Sequence, residues 1–110
     1  MDDCIFCKII KKQLPSKIEF ESEDIIVFQD IHPSADLHLL IAPKIHLDGI
    51  QNIGPEQREL LGKMFIVINN LVAEKNLTDK NYRVVINGGK SQIVPHLHFH
   101  LLGGKWYRFV

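Results

Sequence analysis

Apolar and polar positions divide the chain into segments of different period. In residues 4–12, Ile5, Phe6, Ile9 and Ile10 make a short apolar-rich stretch, which predicts a brief helix ended by Gln13-Leu14-Pro15-Ser16. Ile18 and Phe20 alternate with polar residues over 17–21. Beyond the turn Ser22-Glu23-Asp24, residues 25–29 are rich in β-formers, so the pair predicts a hairpin. After the loop His32-Pro33-Ser34-Ala35-Asp36, residues 37–42 are continuously apolar except for His38. That is the pattern of a buried strand, and Pro43 closes it. From Glu56 to about Asn76 the apolar positions are Leu60, Leu61, Met64, Ile68, Leu71 and Val72. This three-and-four spacing predicts one long amphipathic helix, with Pro55 in its first turn. Residues 82–86 predict a fourth strand, Asn87-Gly88-Gly89-Lys90-Ser91 a turn, and residues 96–102 a last strand ended by Gly103-Gly104. Strands grouped before and after one long helix, with short connections, predict an α+β fold on a five-stranded antiparallel sheet with one long and one short helix.

The last strand changes the picture from fold to chemistry. His96-Leu97-His98-Phe99-His100 alternates strictly, so the three imidazoles share one strand face at spacings of about 6.6–6.8 Å. Leu97, Phe99 and Leu101 take the other, core-facing side. Imidazole titrates near neutrality and can act as nucleophile, as proton donor or acceptor, or as metal ligand. Cys4 and Cys7 form Cys-x-x-Cys, a spacing open to zinc, thiol redox chemistry or coincidence.

Composition narrows the partners. The chain has 110 residues, which predicts one domain spanning 1–110. Lys+Arg and Asp+Glu are equal at 13 each, so there is no overall basic surplus of the kind that holds a nucleic-acid polymer or an anionic membrane. The acidic start Met1-Asp2-Asp3 lacks the basic region of a signal peptide, and no apolar run is long enough to span a bilayer. The expected location is cytoplasmic.

The segment His96-Leu97-His98-Phe99-His100-Leu101-Leu102 resembles the signature of the histidine triad (HIT) superfamily, three His separated by apolar residues. Cys4-Ile5-Phe6-Cys7-Lys8-Ile9-Ile10, Phe28-Gln29-Asp30-Ile31, residues 38–46 with Pro43-Lys44-Ile45-His46, Asn87-Gly88 and Gly103-Gly104 match in order along nearly the whole chain. The size and N-terminal segment resemble its small nucleotide-binding HINT branch. The resemblance implies a purine-nucleotide hydrolase that cleaves nucleoside 5′-phosphoramidates at the P–N bond through a covalent nucleotidyl-histidine. It implies AMP-type substrates, no catalytic metal and a homodimer. Dinucleoside polyphosphate hydrolysis or nucleotidyl transfer on the same site, and a non-catalytic nucleotide- or zinc-binding module, are the alternatives.

By the same resemblance, His98 is the nucleophile, His100 contacts phosphate or leaving group, His96 orients His98, and His38 completes the cluster. Asp30 would accept from the ribose hydroxyls, with Ile31 and Phe28 as purine walls and Asn87 near sugar and phosphate. Many HINT proteins carry a Ser three places before the first triad His. Ile93 stands there, preceded by Ser91 and Gln92, so leaving-group assistance falls to Ser91 or to His100. Cys4, Cys7, His46 and His96 occupy the positions of a structural zinc site in some relatives. His32 is given no role.

Overall fold

A computed structural model describes residues 3–110. The elements are α1 (Ile5–Ile10), β1 (Ile18–Glu21), β2 (Ile25–Gln29), β3 (Ala35–Pro43), α2 (Arg58–Glu74), β4 (Tyr82–Val85) and β5 (Phe99–Trp106). The five strands form one sheet in the order β1-β2-β3-β5-β4, and every neighbouring pair is antiparallel. The expected hairpin of β1 and β2 is present.

Strand alternation splits the core in two. Ile25, Val27, Leu39, Ile41, Phe99 and Leu101 point to the face covered by α2, where they meet Met64, Ile68, Leu71 and Val72. Ile26, Phe28, Leu40 and Ala42 point the other way, against Phe6, Cys7 and Ile9 of α1. The long helix therefore supports the sheet from behind, and the short one shares the front face with the histidines.

Both helices stop by the same device. Lys12 and Asn76 adopt left-handed backbone, with φ of 63° and 58°. Gln13 N–H then returns to Lys8 C=O, and Leu77 N–H to Val72 C=O. This is the Schellman arrangement, which satisfies the last carbonyls. The α2 start differs from expectation: Pro55–Gln57 form a 3₁₀ turn, and the α-helix begins at Arg58.

The last strand also differs. It begins at Phe99 rather than His96, because its partner β3 runs out. Ile41 opposite Phe99 is the last pair, and Pro43 has no N–H to extend the ladder. Leu97 N–H goes to Leu47 C=O instead, and the His96 ring takes the Pro43 carbonyl. Nor do Gly103 and Gly104 end β5, which continues to Trp106. The register with β3 shifts there, and Gly104 takes φ +78°, so the pair forms a bulge instead of a stop. A Cβ on Gly104 would lie 2.8 Å from Asp36 Oδ2.

Candidate active site

The triad face is built where β3 and β5 pair. Leu40 lies opposite His100 and His38 opposite Leu102, so His38 and His100 are diagonal neighbours on one face. Their ring centroids are 5.1 Å apart, and His98 stacks edge-on to His100 at 4.9 Å. Although His96 and His98 precede the strand, their rings keep to this side: Phe6 of α1 touches His96 at 5.7 Å and His98 at 4.9 Å between centroids. All four imidazoles are buried.

Burial holds each ring neutral. It pushes His38, His96 and His98 below the ordinary imidazole value. His100 falls to about 4, through burial first and then the nearness of His98 and His38. A neutral ring has one N–H and one lone pair, and its partners decide which nitrogen has which.

The partners settle the tautomers. Ser34 N–H donates to His38 Nδ1 at 2.9 Å, so the His38 proton sits on Nε2 and donates to His100 Nδ1 at 2.9 Å. His100 is thereby left with N–H at Nε2. His98 Nδ1–H donates to the His96 carbonyl at 2.6 Å, leaving a lone pair on His98 Nε2. The site thus joins an unprotonated imidazole nitrogen to an adjacent imidazole N–H donor, a nucleophile beside a group that can hold an oxyanion.

Asp30 follows β2 and brings Oδ2 to 3.5 Å from His38 Nε2, while its Oδ1 accepts from His32 N–H. Ile31 is 81% exposed and Ile93 92% exposed, so both are free to meet a ligand. Phe28 is 2% exposed and packs edge-on against Phe6 at 5.2 Å, on the sheet face that carries the histidines. Asn87 is half-buried and Ser91 exposed, with no hydroxyl contact to the histidines. Gln92 donates to the Asp48 carbonyl at 2.6 Å, which ties the loop before the triad to the loop after β3.

A second cluster adjoins the first. Cys4 Sγ, Cys7 Sγ, His46 and His96 bring one donor atom each within 4.8 Å of one another. His96 Nδ1 lies 3.4 Å from Cys4 Sγ, and His46 Nδ1 3.3 Å from Cys7 Sγ. The far nitrogens are already committed: His96 Nε2–H to Pro43 C=O at 2.8 Å, and His46 Nε2–H to Asp48 at 2.7 Å. Both rings therefore turn a lone pair toward the two sulfurs. Two thiols and two imidazole lone pairs fit a tetrahedral soft-metal site, and the outer partners are those that orient ligating histidines.

Three contributors were not marked in the sequence. Ser34 acts through a backbone N–H that any residue but proline supplies. Asp48 is signalled only by its place two residues after His46. Arg108 reaches back from the C-terminal segment to the carbonyls of His32 and Pro33, and its Nε donates to Ser34 Oγ at 3.3 Å.

These features define a buried cluster of neutral histidines on an antiparallel sheet, with a ring lone pair beside an N–H donor. Comparisons with known proteins show the family. The family described as "Scavenger mRNA decapping enzyme C-term binding" matches residues 3–107. The "14 kDa zinc-binding protein" of Zea mays is 44% identical over 92% of this chain and 81% of its own length. The "Purine nucleoside phosphoramidase" of Escherichia coli (strain K12) is 33% identical over 94% of this chain and 89% of its own. A HIT family hydrolase from Clostridium thermocellum superposes with a TM-score of 0.90 at 40% identity, covering 94% of this chain and 92% of that one. The chain belongs to the histidine triad superfamily, among its hydrolases.

Proposed function

We propose that this protein hydrolyses nucleoside 5′-phosphoramidates at the P–N bond, with His98 as nucleophile. The observation that carries the reading is the 2.6 Å hydrogen bond from His98 Nδ1 to the His96 carbonyl, which leaves Nε2 unprotonated and aimed from a fixed ring. In the first step the Nε2 lone pair forms a bond to the α-phosphorus, and the P–N bond breaks. The departing amine takes its proton from solvent, because a neutral His100 that gave up its Nε2 proton would be left as imidazolate. His100 instead holds a phosphoryl oxygen through that N–H. In the second step water attacks phosphorus, the His98–phosphorus bond breaks, its electron pair returns to Nε2, and a proton leaves to solvent. The products are a nucleoside monophosphate and an amine. In this reading Asp30 accepts from the ribose hydroxyls, and Ile31 covers the purine.

The Cys4, Cys7, His46 and His96 cluster would hold a structural zinc, as the name of the maize relative suggests for that protein. There the ion would cross-link α1 to the segments after β3 and before β5. Free buried thiols at Cys4 and Cys7 suit a reducing, cytoplasmic setting. The protein is also proposed to pair with a second copy along the β4 edge.

The test is turnover of adenosine 5′-phosphoramidate and of a diadenosine polyphosphate, beside His98→Ala. The phosphoramidate should be cleaved, and the substitution should lower its rate by at least about 10³-fold while AMP still binds. Turnover of the dinucleotide alone would replace the reading with its alternative. Turnover of neither, with AMP bound, would leave a non-catalytic binding module.

A further inference from the structure

The face that carries the triad continues past it to a second polar feature. Arg83 on β4 lies opposite Leu102, which lies opposite His38, so two strand spacings of about 4.8 Å separate Arg83 from His38, and His100 lies diagonally across on the strand between them. At this corner opens a cavity of about 520 Å³ lined by Lys80, Asn81, Arg83, Lys105 and Trp106, with Leu102 as apolar floor. No Asp or Glu lines it. Among the described residues, the six ion pairs all involve other side chains than Lys80, Arg83 and Lys105. The nearby Asp36 is already engaged by Lys105 N–H and the Tyr107 hydroxyl.

One further observation bears on a ligand. The Arg83 guanidinium sits 4.2 Å over the Trp106 ring, an arrangement that fixes it in place. Three cations that enter no ion pair among the described residues share one need, a ligand rich in acceptor oxygens and negative charge. The volume is far larger than one carboxylate requires and suits a small-molecule ligand.

We propose that this cavity is an oligophosphate-binding site. The balanced net charge of the chain conceals it, because the three basic residues come from two segments that meet only when β4 pairs with β5. The oligophosphate has two possible sources: a free polyanion, or the phosphate chain of a nucleotide extending from the triad. The site is independent of the P–N chemistry proposed above.

Trp106 is the only tryptophan, so its fluorescence reports the cavity directly. The full chain is titrated with sodium tripolyphosphate at low ionic strength, against sodium chloride at matched ionic strength. A saturable change is expected, with a midpoint about tenfold or more higher in Lys80→Ala/Lys105→Ala and restored in Lys80→Arg/Lys105→Arg. His98→Ala should keep the response, which separates this site from the nucleophile. If the source is a nucleotide, diadenosine tetraphosphate binds more tightly than AMP and the alanine pair removes the difference. If it is a free polyanion, tripolyphosphate binds alongside either nucleotide without competition. No saturable change beyond the salt blank, or a midpoint indifferent to the lysines, overturns the proposal.

Discussion

His100 shows how a single buried side chain links stability to pH. An imidazole in the unfolded chain titrates near 6.5, whereas folded His100 stays neutral down to about 4. Between those values the unfolded chain binds more protons than the folded one, so acid favours unfolding. Its contribution is complete above pH 6.5 and is lost as pH falls toward 4. His38, His96 and His98 are lowered by burial in the same direction and steepen the loss. Urea midpoints measured from pH 7 to pH 4 should fall steeply, and His100→Asn should flatten the slope; an unchanged slope would refute the argument. The three imidazoles of the last strand were legible because alternation marks a strand face whether or not the ladder has begun, and His38 was legible only through the family resemblance. The groups that set their tautomers were not. A backbone N–H at Ser34 and a carbonyl at His96 leave no residue-type signal, and only the fold reveals that they are within 3 Å of a ring nitrogen.

Elements were read well where period and burial agree and less well where a partner decides. The stripe of α2 follows from apolar spacing, and the helix ends at Glu74, two residues short of the expected Asn76, which takes the left-handed backbone that stops it. Met64 at 0% exposure sits in the middle of that stripe, so Met64→Ala should cost about 2–5 kcal/mol in chemical denaturation. The limits of β5 were misjudged at both ends, because they depend on Pro43 and on the Asp36 side chain of another strand. Gly104→Ala tests the bulge. Its φ of +78° disfavours a side chain, and the new Cβ would press on Asp36, so a loss of about 1–3 kcal/mol is expected. Helix α1 is too short to be stable alone, and its Cys4 and Cys7 tie it to His96 and His46. Chelation, or Cys7→Ser, should therefore lower Tm by at least about 5 °C, with zinc lost from the protein by elemental analysis.

At the scale of the whole molecule, the sheet divides labour between its faces, and one edge of the rear face is unfinished. Val84 pairs with Leu101, whose side chain belongs to the α2-side core, so Val84 and Tyr82 point to that side and are 38% and 44% exposed. Phe65 of α2 stacks on Phe99 at 5.2 Å yet is 55% exposed, and Ile66 beside it is 63% exposed. Helix and edge strand thus present apolar surface together, next to the unpaired backbone of β4. An open edge beside apolar side chains is the arrangement that a second copy completes, since strand pairing and side-chain burial are then satisfied at once. Val84→Glu places a charge in the middle of that surface without touching the histidines. Light scattering after size exclusion should give twice the chain mass for the parent protein and the single-chain mass for the variant. A parent protein that is monomeric at micromolar concentration would show that the exposed face serves some other contact.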